Sequence, residues 1–235
     1  MKLSQKVGKL AQPLTYRRAW RRARRMLHPI PLEPLRAKID PARLQELQAR
    51  HGSPSADAPD DWRHYTKYLD VDKYLKLNAR RVQDLDLHRS SPLDILDLGC
   101  GAGFFLFIAQ SFGHRGLGLD TGGIPVFDDW VEMLGVERMI ARISAGEPMP
   151  EPGQKFDLIT GFSTAFQGGK KSWRWGRAEW EFLLDDLVRH LKPGGRIFFG
   201  LNPVYEGDYY TPEILELFLE RGAQVERENV MLARD

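Results

Sequence analysis

The chain has a single cysteine, Cys100, among 235 residues. No internal disulfide can form, which suits a reducing compartment. It also lacks an apolar run near the ~20 residues that a membrane-spanning helix needs, and the first residues lack the apolar stretch of a secretory signal. The expectation is a soluble, cytoplasmic protein. Its six histidines show no metal-ligand spacing, so no metal is expected. Acidic residues are missing altogether before Glu33, although the chain carries 32 of them against 34 basic ones. With 42% hydrophobic and 28% charged residues the composition excludes a disordered chain.

The acid-free stretch holds Lys2, Lys6, Lys9, Arg17, Arg18, Arg21, Arg22, Arg24 and Arg25. Positive charge is therefore concentrated at the N-terminus, and the remainder has more acidic than basic residues. The spacing predicts a helix over 15–27. At about 100° per residue its six arginines share an arc of about 160°, and Tyr16, Ala19, Trp20, Ala23, Met26 and Leu27 take the opposite one. Pro29, Pro31 and Pro34 stop it. A second helix is expected over 41–51, opened by Pro41. The arginine face suits RNA, an anionic membrane surface or an acidic partner; equally, the helix packs Trp20 and Leu27 on the domain and leaves its arginines in water.

"GSPSADAPDD", residues 52–61, has linker composition. The organisation read from the sequence is a basic helical extension over 1–51, a linker over 52–61 and a domain over 62–235. Within the domain, two helices are expected before Leu93. Short apolar runs then alternate with helical patterns, the mark of an α/β doubly wound, mostly parallel sheet. Strands are expected at 94–98, 116–120, 139–143, 156–161 and 195–200, with a last one over about 224–233. Helices are expected at 103–112, 125–134, 177–191 and 212–221.

Chemistry concentrates in "DILDLGCGAGFF", residues 94–105. An apolar strand delivers the chain to Asp97 and then to Gly99, Cys100, Gly101 and Gly103 before a helix. Glycine lets the backbone turn tightly and approach a ligand, and the helix start offers free N–H groups. A second strand, "GLGLD", ends in Asp120, 23 residues after Asp97, placed to accept hydrogen bonds from ribose hydroxyls. Both features occur in dinucleotide sites too. Three details separate them: the glycines run G-x-G-x-G, bulky Phe104 stands where a third packing glycine would, and Asp97 would repel a pyrophosphate while suiting an ammonium group.

With "LVRHLKPGGRIFFG" following "FDLITG", the stretch from about Leu93 to Gln224 resembles the class I S-adenosylmethionine-dependent methyltransferases. The resemblance implies a Rossmann-like methyltransferase fold. It implies S-adenosyl-L-methionine held by Asp97 and residues 99–103, with Asp120 on the ribose and Thr121 beside the adenine. Ala145 and Gly146 stand where many relatives place an acid that contacts the adenine, and Phe162, just after the fourth strand, is a further cofactor-binding candidate. The family closes with a two-strand hairpin; here so little chain follows the helix at 212–221 that one strand is expected to be missing or merged.

The implied reaction is direct displacement at the sulfonium methyl, governed by positioning more than by an acid or base. The loops after the fourth and fifth strands supply the acceptor candidates Trp175, Trp180, Asn202 and Tyr205. Glu179 is the candidate base, against its simpler reading as a helix-start acid. Cys100 reads as a small residue of the loop. A small-molecule or lipid-linked acceptor is expected. The alternatives are an RNA methyltransferase gripping through Arg17, Arg18, Arg21, Arg22, Arg24 and Arg25, or an inactive protein that binds the cofactor or a partner.

Overall fold

The computed structural model describes residues 23, 25–53, 64–164, 175–203 and 208–234. Most of the arginine helix and Tyr205 lie outside them; Ala23, Arg25, Met26 and Leu27 are helical. Seven strands form one sheet: β1 Asp94–Leu98, β2 Arg115–Asp120, β3 Glu137–Ile140, β4 Phe156–Phe162, β5 Leu191–Gly200, β6 Gln224–Glu226 and β7 Asn229–Ala233. Their spatial order is β3-β2-β1-β4-β5-β7-β6. β1 to β5 run parallel, while β7 is antiparallel to both β5 and β6. The fold is therefore a doubly wound, Rossmann-like α/β sheet. Its strand order reverses between β1 and β4, where such sheets open a crevice.

Helices α1 Glu33–Arg36, α2 Pro41–His51 and α3 Val71–Asp84 precede the sheet; α4 Phe104–Gln110, α5 Pro125–Met133, α6 Arg177–Arg189 and α7 Pro212–Glu220 follow in turn. One apolar cluster gathers α1 to α5 on one face of the sheet, and another gathers α6 and α7 on the other. Covered on both faces, β1 is buried along its whole length, which explains its unbroken apolar run. Every residue of α4 except Gln110 is buried, because α3 packs over it.

The α3 stripe Val71, Tyr74, Leu75, Asn78 and Val82 has helical spacing, and Asp70 caps its start by accepting the Lys73 N–H. Leu35, Ile39 and Leu47 of the leading segment belong to the same core, so α1 and α2 sit on the domain through apolar contacts. Arg43 with Glu132, and Arg50 and His51 with Asp129, join α2 to α5 at its edge. Met26 and Leu27, by contrast, remain exposed.

Several boundaries move. The expected single last strand is two strands, a correction of the missing or merged strand. The chain reverses at Arg227 and Glu228, with Arg227 at φ 52°, so no glycine announces the turn. β5 starts at Leu191, which pairs with Phe156; the register resumes at Arg196 opposite Leu158, and Lys192 to Gly195 form the irregularity between them. β3 ends three residues early, at Ile140. As an edge strand it pairs only with Leu117–Asp120, and the chain then turns along the cavity.

At the amino ends of four strands, Asp94 accepts from Arg115 at 2.6 and 2.9 Å and from Lys192 at 2.5 Å. Lys192 also donates to Asp157, which accepts the Asp94 N–H. The network ties β1, β2, β4 and β5 together at the end away from the crevice. Hydrogen bonds from Arg115 pull the buried Asp94 carboxyl down to about 2.

Candidate functional site

A cavity of about 990 Å³ opens at the carboxyl ends of β1, β2 and β4. The loop after β1 forms its floor, with Gly99, Gly101 and Gly103 at φ 68°, 54° and 76°. A side chain would be strained at each of these angles, and at Gly99 a Cβ would stand 3.0 Å from the Thr164 methyl. The loop is held from its neighbour strand: the Gly99 N–H donates to the Leu119 carbonyl at 2.7 Å, and the Gly101 N–H to Asp120 Oδ2 at 2.7 Å. Asp120 Oδ1 accepts the Thr121 N–H at 2.7 Å. The carboxylate at the tip of β2 thus shapes the glycine loop and still fronts the cavity with free lone pairs.

Asp97, at the tip of β1, is 3% exposed. It accepts the Thr160 hydroxyl of β4 at 2.6 Å. Burial raises its carboxyl to about 7, opposed by the Thr160 bond and by the charge of Arg81. Arg81, on α3, reaches over the same end of the cavity. Its guanidinium lies 4.4 Å from the Phe162 ring centre and donates to Asn78 at 2.9 Å and to Ser163 Oγ at 3.2 Å. Burial pulls its pKa below the usual arginine value. Asn202 donates to the Ser163 carbonyl at 2.9 Å, joining the ends of β4 and β5. The buried Thr164 hydroxyl, beside Gly99, has no hydrogen-bond partner among the described residues.

Aromatic rings build the remaining wall. Tyr68 stacks on Tyr74 at 4.3 Å between ring centres and meets the Phe127 edge at 4.7 Å, and burial raises both tyrosine hydroxyls. Phe127 in turn packs against the Gly101 backbone, and Tyr65 meets its edge at 5.0 Å. The segment before α3 therefore covers the glycine loop from above.

Of the sequence candidates, Asp97, Gly99, Cys100, Gly101, Gly103, Asp120, Thr121, Ala145, Phe162, Trp175, Glu179 and Asn202 all line this one cavity. Gly146 does not; it occupies the turn beyond Ala145 with φ 71°. Trp180 requires a correction. It is fully buried between Trp175, Phe199 and Phe218, on the α6 stripe with Leu183, Leu184 and Leu187, and so packs the core rather than an acceptor. Glu179 accepts the Gly176 N–H at 2.8 Å and caps α6. Burial pushes the Cys100 thiol up, so it stays protonated and unreactive.

Sequence reasoning missed Arg81, Thr160, Thr164 and the tyrosine pair. A faint signal exists for Arg81: Asn78 interrupts the apolar stripe of α3, and it orients this arginine one turn on.

No protein-family model matches the sequence, and no curated protein is similar to it. Among solved structures, several are similar to the chain. An amino pentose methyltransferase from Micromonospora echinaspora has 17% identity and a TM-score of 0.49, over 82% of this chain and 97% of that one. A TehB-like S-adenosylmethionine-dependent methyltransferase from Corynebacterium glutamicum has 19% identity and a TM-score of 0.48, over 83% and 100%. A glycopeptide N-methyltransferase has 14% identity and a TM-score of 0.42, over 59% and 57%, so the match spans little more than half its length. The fold class rests on the strand order above and not on these likenesses.

Proposed function

We propose that this chain binds S-adenosylmethionine and transfers its methyl group to a small-molecule acceptor. The observation that carries the reading is the division of charge inside one cavity. A buried carboxyl and a guanidinium, Asp97 at the tip of β1 and Arg81 on α3, line it together, and a second carboxylate, Asp120, lines it at the tip of the neighbouring strand β2. A ligand that is both amino acid and nucleoside fits that division. Its ammonium neutralises Asp97, its carboxylate meets Arg81, and its ribose hydroxyls donate to Asp120. Asp97 alone in a dry site favours its neutral form, so a cationic partner is what this environment lacks. The Thr164 hydroxyl beside Gly99, which has no hydrogen-bond partner among the described residues, offers one more hydrogen-bonding group.

A dinucleotide fits less well, since its pyrophosphate would lie where the buried Asp97 stands. At the base end the chain offers Ala141, Ile143, Ser144 and Ala145, with no carboxylate among these lining residues. Recognition of the adenine there falls to apolar contact and backbone groups, and Thr121 stands at the same end.

When bound, the cofactor supplies an electrophilic methyl group on a sulfonium centre. The work left to the protein is alignment and exclusion of water. Arg81 and Asp97 fix the amino-acid end, and Asp120 with the glycine loop fixes the nucleoside end. Tyr65, Tyr68 and Phe127 cover the loop. With Glu179 engaged as the cap of α6, no described side chain is assigned as a base, in keeping with displacement governed by position. In this reading residues 62–235 form the catalytic unit.

The test is transfer itself. Purified protein incubated with methyl-labelled S-adenosylmethionine and fractionated cell extract is expected to label one low-molecular-weight fraction, and Asp97→Ala or Asp120→Ala abolishes the label. Cofactor binding with no transfer to any fraction would leave a cofactor-binding protein and refute the enzymatic reading.

A further inference from the structure

A polar residue interrupts each of the two central strands. In β1, Asp97 stands among Ile95, Leu96 and Leu98; in β4, Thr160 stands among Leu158, Ile159 and Gly161. Asp97 and Thr160 are direct partners in the parallel ladder, and partners in register project to the same side of a sheet. Ile95 and Leu158, two residues before them, both belong to the apolar cluster of α1 to α5. Asp97 and Thr160 therefore share that side of the sheet with α3, the helix that carries Arg81.

Thr160 is fully buried. A hydroxyl at such a position lowers stability unless it is bonded, and valine would supply the same branched shape without that need. The Thr160 Oγ1 lies 2.6 Å from Asp97 Oδ1 and 3.4 Å from the Leu96 carbonyl, so the strong contact is the one to the carboxyl. No other side chain hydrogen-bonds Asp97 among the described residues, and its second oxygen, Oδ2, accepts no hydrogen bond there. Arg81, Asp120 and the protonated Cys100 face the carboxyl from α3, β2 and the glycine loop without hydrogen bonding it. Of the groups that oppose the effect of burial, Thr160 acts more strongly than Arg81. The carboxyl is thus pinned by one oxygen in the lining of the cavity, with the other left open.

We infer that Thr160 is the positioning residue for the amino-acid end of the cofactor: its hydroxyl holds Oδ1 of Asp97, leaves Oδ2 to the ammonium group, and favours the ionised carboxylate that an ammonium needs. The inference rests on the cofactor reading above and adds the residue that fits Asp97 to it. A bond to the ionised form favours that form, and losing one bond to a charged group moves its titration up by about one pH unit or more.

Thr160→Val keeps the shape and removes the donor, and Thr160→Ser returns the donor. The full chain and both variants are titrated with S-adenosylhomocysteine by calorimetry at pH 6 and at pH 7.5. Affinity follows the ionised fraction of Asp97, so the valine variant should bind about tenfold more weakly at pH 6 and about threefold more weakly at pH 7.5. The serine variant should bind as the unchanged protein does at both. Unchanged affinity in the valine variant overturns the inference, as does a loss by one constant factor at both pH values or a serine variant no better than the valine one. In the ligand-free chain the infrared carboxyl band of Asp97, assigned against Asp97→Asn, should titrate about one pH unit higher in Thr160→Val. An unmoved band overturns the inference and leaves the cofactor reading untouched. A band that moves, in a protein that does not bind S-adenosylhomocysteine, removes the cofactor reading and with it the role given to Thr160.

Discussion

Replacing Asp97 by asparagine should stabilise the ligand-free protein at alkaline pH while weakening its site. The side chain is 3% exposed, and its carboxyl is raised from the usual 3.8 to about 7 by burial. A carboxyl that holds its proton more tightly when folded lowers stability as pH climbs from about 4 to about 7, beyond which the loss is complete. At about 1.4 kcal/mol for each tenfold change, the full loss is roughly 4 kcal/mol, of which about 1.5 is already present at pH 5. Asparagine cannot ionise and still accepts the Thr160 hydroxyl. The stability difference between variant and unchanged protein should therefore widen by roughly 3 kcal/mol between pH 5 and pH 8. For a chain of this size that is about 6–10 °C in Tm. Scanning calorimetry at the two pH values, without ligand, reads it directly. A difference that stays constant across the range would refute the claim that Asp97 is a dry carboxyl awaiting a cation.

Arg81→Ala should weaken S-adenosylhomocysteine about tenfold to a hundredfold by removing a charge-assisted contact, with Arg81→Lys recovering part of it; calorimetric titration compares the three proteins. Trp180→Ala should cost about 3–5 kcal/mol, since a fully buried indole leaves a cavity, and denaturant unfolding measures it. Gly118→Ala places a methyl 2.5 Å from Cys100 Sγ behind the glycine loop, and should lower both Tm and cofactor affinity. Asp94→Asn should reduce stability at neutral pH. The depressed carboxyl contributes above its unfolded pKa of about 4, and that contribution is lost as pH falls toward 2, so unfolding of the two proteins converges in acid.

What the sequence made legible was local. Asp97, the three loop glycines and Asp120 lie in two short segments whose residue types already state a sharp turn between two strand tips, and all of them line the one cavity. Arg81 stands 16 residues before Asp97 on a helix, and its approach to Phe162 and Ser163 is a tertiary contact that no local pattern announces. Trp175 and Trp180 look alike as residues of an aromatic loop. What separates them is the start of α6 at Arg177, which puts Trp180 on the apolar stripe with Leu183, Leu184 and Leu187. The last hairpin was hidden because its turn uses Arg227 and Glu228, where glycine or asparagine would have marked a positive φ. The network around Asp94 joins four strands whose first residues are scattered over about a hundred positions of sequence, and only the sheet order brings them together.

The central claim is that one cavity takes a molecule with an amino acid at one end and a nucleoside at the other. Calorimetric titration of the purified chain with S-adenosylhomocysteine and, separately, with NADH tests it most directly. The account predicts one-to-one binding of S-adenosylhomocysteine, lost in Asp120→Ala, and no heat with NADH. Binding of NADH with no response to S-adenosylhomocysteine would contradict it.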